Sequence, residues 1–368
     1  MLFEGYMNCD LLYLTCRHHV HEIMLEEVFT VSVGPSSGPD IALFKQFKAF
    51  WPAVVTNDYK PGVADPEIST SIQDTASEVM NFCVSQLQKI QPRDDYRELL
   101  ELVILFLSGV PTRGVHFNKP GAMHRARWMS RLIYSLKIFL FRDGGFKMSE
   151  AEKAGVAEVC IFGIQVYVKS WFLSRLPILA PTNDLMLLKL LTSLKSKTAK
   201  AALRKLCGQL WYLSEELVAL SFFKRELNAE VASLSREAPD NPPKRITVDA
   251  AQIQNKQLHD FVTKNTKKFF QILSITDSFL QTDPEAWEIN PDYLMADETV
   301  QNLRVVDDTA ERGVALMQEY NSLLTKDEEQ MQFSLQVIQE HRKLYPDSNK
   351  STIVQGLIAS TIPQANKH

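Results

Sequence analysis

Cysteine and histidine crowd together near the start of the chain, in the stretch Leu11–Phe29 with the sequence LLYLTCRHHVHEIMLEEVF. Cys16, His18, His19 and His21 fall within six residues, and the whole chain has only eight histidines. The C-x-x-H spacing of Cys16 and His19 presents a sulfur and a nitrogen on the same face of a helix. Such residues can bind a transition metal or form a cysteine–histidine nucleophile.

The rest of the chain gives little support to either chemistry. A closed zinc site requires about four ligands, and His116 and His124 are the only further candidates, each isolated in sequence. A cysteine nucleophile on this helix lacks an evident orienting partner and an oxyanion loop. We therefore predict that no metal is bound and that this pair of residues is structural.

The helical phase assigns an inward direction to two of these four side chains. Cys16 and His19 lie beside Val20 and Ile23 on the face predicted to be buried, whereas His18 and His21 point elsewhere. The pattern therefore favours a small buried thiol beside a hydrogen-bonded core histidine.

A second candidate is Glu311, in the segment VVDDTAERGVALMQEYN at residues 305–321. It begins a predicted helix and shares a face with Val314 and Ala315, and a carboxylate among apolar neighbours can be functional. Asp308, three residues earlier, offers another explanation, because this spacing resembles a capping box in which the glutamate caps the helix. The local chemistry favours the cap.

Basic residues surround Trp128 in the segment KPGAMHRARWMSRLIYSLKIFLFR. Arg125, Arg127 and Arg131 could contact a phosphate backbone while Trp128 stacks on a base. The arginines could equally form a solvated face, with Trp128 anchored in the core. The sequence leaves both interpretations open.

The densest basic region follows in the segment KLLTSLKSKTAKAALRKL. Its cationic residues are Lys189, Lys195, Lys197, Lys200, Arg204 and Lys205. A solvated helix face is the usual explanation of such a run, and a surface that binds a polyanion is the alternative.

The composition is ordinary for a globular protein and excludes several classes. The 368 residues are 45% apolar and 23% charged, and a net charge of −4 gives no overall field for gathering nucleic acid. The five cysteines are scattered, which fits a reducing compartment, either nuclear or cytoplasmic. Phosphate-loop, dinucleotide-binding, nucleophile-elbow and H-E-x-x-H motifs do not occur.

Apolar periodicity predicts a mainly α-helical fold. Helices are expected over Lys200–Ser233, Gln254–Leu273 and Asp308–Leu344, among others, and Ser235–Arg245 has the prolines of a linker. Strands are expected only at Leu11–Thr15 and Arg245–Val248. The most apolar window, 156–173, carries three polar or charged residues and predicts a buried helix rather than a membrane span.

The order of these segments is more specific than any one of them. It resembles the hAT superfamily of DNA transposases, which has a C-x-x-H motif, a later R-W motif and a late motif of S-E-R-x-F type. The matching residues are Cys16 and His19 for the first motif, Arg127 and Trp128 for the second, and Ala310, Glu311 and Arg312 for the third. Alanine replaces the usual serine, and Val314 replaces the aromatic residue only loosely.

The resemblance implies an RNase H-like catalytic core interrupted by a large helical insertion domain. In such enzymes three carboxylates hold two divalent metals, usually Mg²⁺, for phosphodiester cleavage and strand transfer. Glu311 would be the third carboxylate, and Trp128 would help to hold the DNA end.

The sequence departs from the family at its N-terminal end. The two catalytic aspartates of the family precede the C-x-x-H motif, and only fifteen residues precede Cys16 here, with Asp10 too close to fit the family spacing. We therefore expect an incomplete RNase H-like core with Glu311 as a vestigial carboxylate and with no cofactor. Mg²⁺ would be expected only if the missing acids existed in a longer product.

These expectations divide the chain into four parts. Residues 1–15 would be a remnant of the last core strand, 16–234 the helical insertion-like domain, 235–247 a linker, and 248–368 a helical segment with the closing helix of the core. The expected function is that of a catalytically inactive, transposon-derived protein that retains DNA contact. The alternatives are a helical protein–protein interaction scaffold and a fragment of an active Mg²⁺-dependent transposase.

DNA is the expected partner, through the arginines near Trp128 and the Lys189–Lys205 region. A homo-oligomer would cover the apolar edge of an incomplete core. Neither a membrane nor a small-molecule cofactor is expected.

Overall fold

A computed structural model describes residues 2–35, 41–121, 128–224, 244–249 and 251–306, and three single positions beyond them at 330, 333 and 337. Residues 1–309 form one compact unit, and residues 310–368 form a second. Almost all of the second unit lies outside the described residues, and every helix with described bounds belongs to the first.

The described chain is mainly α-helical, as predicted. Its α-helices are α1 Leu2–Met7, α2 Arg17–Ser32, α3 Ala42–Phe50, α4 Pro66–Leu87, α5 Asp94–Phe106, α6 Ser130–Leu140, α7 Glu150–Phe162, α8 Val168–Leu173, α9 Ala180–Ser193, α10 Lys197–Leu206, α11 Lys268–Ile272 and α12 Pro291–Gln301. Short 3₁₀ turns occupy Trp51–Ala53, Thr56–Asp58, Gly62–Ala64, Pro177–Leu179, Leu217–Phe223, Ile253–Asn255, Leu258–Phe261, Lys264–Lys267, Ser278–Gln281 and Pro284–Ile289.

Local capping chemistry explains where several helices begin. Ser149 and Glu152 form a reciprocal capping box at the start of α7, which satisfies two backbone N–H groups that have no partner within the helix. The Asp65 side chain accepts from the backbone N–H groups of Glu67 and Ile68 at the start of α4, where Pro66 occupies the first helical position. These starts follow from local sequence alone.

One continuous helical rod runs through α7, a π-helical turn at Gly163–Tyr167, and α8. The rod, Glu150–Leu173, is long and apolar enough to cross a membrane by length and composition, and 56% of its apolar window is buried inside the structure. The window 156–173 is therefore helical as predicted. Val156, Val159 and Trp171 are fully buried against neighbouring helices.

Helix α2 packs between α7 and α10 and also touches α6. The close approach to α7 depends on Gly155, because a Cβ at this position would lie 2.3 Å from the backbone oxygen of Ser32. Met24, Leu25 and Val28 line the buried face of α2. The helix that carries the cysteine–histidine stretch is therefore at the centre of the core.

The strand predicted at Leu11–Thr15 is wrong. Leu2–Met7 forms a helix, and residues 10–16 have no regular secondary structure. An apolar run of five residues does not pair as a strand without a neighbouring edge. The second predicted strand, Arg245–Val248, is reduced to one isolated antiparallel bridge between Ile246 and Leu210.

Two predicted helices are also shorter than expected. The helix predicted from Lys200 to Ser233 ends at Leu206, before Gly208, and is followed by a 3₁₀ turn at Leu217–Phe223. The last part of the prediction, residues 225–233, lies outside the described residues. The helix predicted at Gln254–Leu273 is instead a series of three 3₁₀ turns, the last capped by the Thr263 side chain, followed by the short α11. The helix predicted at Asp308–Leu344 lies outside the described residues except for isolated positions.

Residues on the two sides of the predicted linker share one core. Tyr293 stacks on Phe223 with 5.4 Å between ring centroids and donates a hydrogen bond to the Phe222 carbonyl at 3.3 Å. Most of the linker lies outside the described residues. At its described end, Lys244 Nζ bonds Glu216 at 3.1 Å, so the segment that follows is anchored to the preceding helical part.

Replacing Gly155 with alanine should destabilise the protein, because the new Cβ would meet the Ser32 carbonyl of α2. Overpacking against a backbone atom costs about 1–3 kcal/mol of unfolding free energy. Gly208→Ala is the control, since a Cβ there would meet the nearest atom at 3.5 Å, an ordinary contact. Urea unfolding followed by circular dichroism measures both variants, and unchanged stability of Gly155→Ala would contradict the close packing.

Candidate functional site

Three sequence-distant segments meet at the first turns of α2. The backbone N–H of Arg17 donates to the carbonyl of Val305 at 2.9 Å. The ring of His18 lies 5.7 Å from the ring of Trp128, edge to face. The segments that meet are the cysteine–histidine stretch, the arginine–tryptophan stretch and the residues just before Asp308.

An aromatic cluster surrounds His18, which is fully buried. Its ring stacks on Trp171 with centroids 3.9 Å apart and an interplanar angle of 7°. Nε2 of His18 donates to the Trp171 carbonyl at 3.2 Å, and Tyr96 Oη lies 3.5 Å from Nδ1. Both ring nitrogens are thus directed to protein atoms, so this histidine is fixed in the core.

A buried ion pair lies beside this cluster. Arg17 donates to Asp184 at 2.5 Å and to the Ser174 carbonyl at 3.2 Å, and its guanidinium lies 5.6 Å from the ring centre of Tyr212. Burial raises the pKa of the Asp184 carboxyl, and the charge and hydrogen bond of Arg17 oppose that rise. The pair joins α2 to α9, and both side chains are almost fully buried.

Glu22 joins α2 to the arginine–tryptophan stretch through hydrogen bonds. Its Oε1 accepts from the backbone N–H of Met129 at 2.7 Å and from Tyr167 Oη at 2.5 Å. Met129 precedes α6 in a left-handed conformation, with φ of 62°, so the carboxylate caps a helix start that has no side-chain cap of its own. Burial raises the pKa of Glu22, while the hydrogen bonds from Tyr167 and Met129 oppose that rise.

His21 is also buried and forms a defined hydrogen bond with Ser174. Its Nε2 lies 3.1 Å from Ser174 Oγ, whose own hydroxyl donates to the Ser170 carbonyl at 2.6 Å. Burial lowers the pKa of His21 well below its usual value, and the charges of Arg17 and His18 act in the same direction. The His21 side chain is therefore a neutral imidazole at pH 7.

The structure reverses the predicted roles of the four residues in the opening stretch. His19 is exposed, whereas His18 and His21 are buried, so the inward direction predicted for His19 is wrong. Cys16 is only partly buried and precedes α2 as its N-cap residue, without a side-chain capping bond. The buried face of α2 carries His18, His21 and Leu25. Leu25 lies seven residues after His18, which is two helical turns along the same face.

The Trp128 side chain packs against the core, as in one of the two interpretations of its sequence. It is partly buried, packs against the core and lies 5.6 Å from the ring of Trp171. Arg131 forms an ion pair with Glu26 at 2.8 Å. Arg125 and Arg127 lie outside the described residues, as do Glu311 and Arg312, so their assigned roles stay predictions.

Three of the six cations in the dense basic region form ion pairs with acidic side chains of other helices. Arg204 and Lys205 both pair with Glu27 of α2, and Lys197 pairs with Glu158 of α7 at 2.9 Å. Burial raises the pKa of Glu27, but the hydrogen bonds and charges of Lys205 and Arg204 outweigh this effect and lower the pKa overall. The Glu27 carboxylate therefore stays ionised and neutralises much of this surface.

Three cations of the region remain for an external partner. The described residues supply no ion-pair acid to Lys189, Lys195 or Lys200. Lys195 and Lys200 are exposed, and Lys189 is partly exposed. Of the six predicted DNA-binding positions in this region, three are therefore paired within the protein and three are not.

The potential metal ligands of this region are engaged in other contacts. The acids near α2 are bonded to Arg17, Tyr167, Arg131, Arg204 and Lys205. Within the ranges that the structure describes, no group of three or more histidine, cysteine, aspartate or glutamate residues could hold a metal ion.

Comparison with known proteins gives no assignment. No family model matches the chain, and no curated protein or solved structure matches it. The function therefore has to be inferred from the geometry of the residues around α2 and α10.

Replacing Asp184 with alanine should strongly destabilise the fold, because Arg17 would remain buried without its carboxylate. Loss of one partner of a buried ion pair costs about 3–5 kcal/mol. Asp143→Ala is the matched control, since its pair with Lys60 is 3.2 Å long and exposed and should contribute at most about 1 kcal/mol. Guanidinium unfolding of both variants tests this, and equal losses would refute a special role for the buried pair.

Proposed function

We propose that the chain is a hAT-transposase-related helical protein in which the segments of the first two motifs stabilise the fold and no strand-transfer chemistry takes place. The observation that supports the proposal is the meeting of three segments at α2. Arg17 contacts Val305 and His18 contacts Trp128, although the chain separates them widely. The segments of the first two motifs are thus in contact, whereas the third motif, at residues 310–312, lies outside the described residues.

The lack of catalysis is proposed from how the acids near α2 are used. Two-metal phosphoryl transfer requires carboxylates with free oxygens directed at shared metal ions. Glu22, Glu27 and Asp184 instead bond helix-capping, cationic and phenolic groups. Mg²⁺-dependent cleavage of plasmid DNA by the purified chain, abolished by Glu311→Gln, would contradict this part of the proposal.

Residual DNA contact is proposed at Lys189, Lys195 and Lys200. These cations follow one another along α9, the loop after it and α10, and none has an acidic partner among the described ion pairs. Three phosphate contacts would give weak, sequence-independent binding that is visible only at low salt. The contact is therefore electrostatic and carries no sequence specificity.

The second candidate is a helical protein–protein interaction scaffold without a nucleic-acid role. The neutralisation of Arg204, Lys205 and Lys197 by internal acids favours it, as does the net charge of −4. The two functions differ in one measurable property, which is the salt dependence of binding to duplex DNA.

Replacing Lys195 and Lys200 together with alanine should remove most DNA binding at low salt. The wild-type chain should show a slope of log affinity against log salt of about −2.7 for three contacts, and the variant about −0.9. Fluorescence anisotropy with a 20-base-pair duplex measures both.

The control for this pair is Lys119→Ala with Lys147→Ala, which removes the same charge from two exposed positions outside α9 and α10. It should bind DNA like the wild type. If the wild-type chain does not bind DNA at low salt, the scaffold function replaces the DNA-contact proposal.

Replacing Glu27 with glutamine should strengthen DNA binding, because it releases Arg204 and Lys205 from their ionised partner. Each released cation that contacts phosphate steepens the salt slope by about 0.9. Glu298→Gln makes the same charge change at an exposed position on α12 and should have little effect. Equal affinities of the two variants in the anisotropy assay would show that the paired cations do not limit DNA contact.

A further inference from the structure

A cleft of about 350 Å³ lies between three elements, which are α4, the second half of the rod (the π-helical turn and α8) and α9. The volume is at the lower end of the range of small-molecule sites, about 300–1,000 Å³. Apolar side chains form much of the wall, including Val79, Val166, Leu173, Leu187 and Leu190. The cleft is separate from the lysines proposed to contact DNA, except that Lys189 lies on α9, which also lines it.

Two polar side chains of α2 line the same cleft. Arg17 and His21 are each only 2% exposed and both belong to its lining. Nε of Arg17 and Nδ1 of His21 are buried and have no hydrogen-bond partner among the described residues. Buried polar atoms without a partner are uncommon and costly, so a ligand group that bonded these two atoms would be favoured here.

The direction of the missing hydrogen bonds follows from the neighbours. The Ser174 hydroxyl donates to the Ser170 carbonyl, so Ser174 Oγ accepts from Nε2–H of His21. Because the proton of the neutral imidazole is on Nε2, Nδ1 is an acceptor. Nε–H of Arg17 is a donor. The polar end of the cleft therefore offers one donor and one acceptor.

The charges around the cleft are already balanced. The guanidinium of Arg17 is paired with Asp184 at 2.5 Å, and Lys169 is paired with Glu78 at the cleft. An ionised ligand would leave water for an apolar cleft without an opposite charge of its own. A neutral molecule avoids that cost.

We propose that this cleft binds a neutral, mainly apolar small molecule with one hydroxyl or carboxamide group, which donates to His21 Nδ1 and accepts from Arg17 Nε–H. The π-helical turn supports the assignment, because it places Gln165 and Val166 at the cleft and such turns are frequent at functional sites.

Isothermal titration of the full chain with four eight-carbon probes at pH 7 tests the proposal. Octan-1-ol and octanamide should bind, whereas octanoate and octylammonium should bind at least about tenfold more weakly because their charges would be buried without a partner. Tighter binding of octanoate would overturn the neutral head group. Failure of all four probes to bind would overturn the site.

Two variants locate the binding within the protein. Leu190→Trp should fill the cleft and abolish binding of octan-1-ol, whereas Leu294→Trp, at an exposed position on α12 that is 49% accessible, should leave it unchanged. Unchanged binding by Leu190→Trp would show that the probe binds elsewhere and would overturn the proposal.

His21→Gln tests the head group separately from the apolar cleft. Glutamine keeps a donor toward Ser174 and lacks the acceptor at the Nδ1 position. The substitution should weaken the binding of octan-1-ol about tenfold, which is a typical effect of one lost hydrogen bond. Full affinity in a folded variant would overturn the hydrogen-bonding assignment, and if this variant does not fold, Leu190→Trp still decides whether the cleft is the site.

Discussion

The buried guanidinium of Arg17 determines much of this architecture. This side chain is almost fully removed from water, and it lies at the beginning of a helix. Arg17 is in the first turn of α2, where the helix dipole disfavours a positive charge, and burial adds a further cost of several kcal/mol. The cost is offset only if α9 presents Asp184, the end of α8 presents the Ser174 carbonyl, and Tyr212 presents its ring. One cation therefore fixes the positions of three elements that the chain connects through separate turns.

The same requirement explains why polar and aromatic groups alternate around α2. His18 and His21 follow Arg17 on the inward face, and Trp171 provides a ring for one while the neighbouring Ser174 provides a hydroxyl for the other. Glu22 extends the network to Met129 and so supplies the cap that α6 lacks. Directional contacts are thus added here to the apolar packing of Met24, Leu25 and Val28.

Those features could be predicted from sequence only where they are local. The capping box of Ser149 and Glu152 is visible in four residues, and the helical nature of most segments follows from periodicity. The burial of His18 could not be derived in the same way, because its partners lie on α5, on α8 and near α6. Taking Val20 and Ile23 together as the inward face placed His19 inward, but Ile23 is only half-buried, and one residue of error turns a helix by about 100°. The strand expected at Leu11–Thr15 failed because strand formation depends on a pairing edge, which no local pattern specifies.

Charge is another property that sequence reveals incompletely. The run from Lys189 to Lys205 is a basic surface when only its own residues are counted, yet Glu27 and Glu158 reach it from α2 and α7. Its availability to a polyanion thus depends on which helices lie beside α10. A basic segment can bind a polyanion only through those cations that are not already paired with acids of the same protein.

The bond from Arg17 to the Val305 carbonyl also has a kinetic consequence. Its two ends are almost the whole described chain apart, and contacts of such long range form late because loop closure precedes any energetic gain. During synthesis nearly the entire unit has to be made before the first N–H of α2 can reach this partner. A partly made chain would therefore leave this N–H without its partner until residue 305 has been added, although the residues that cover the His18 face, up to Tyr212, are made much earlier.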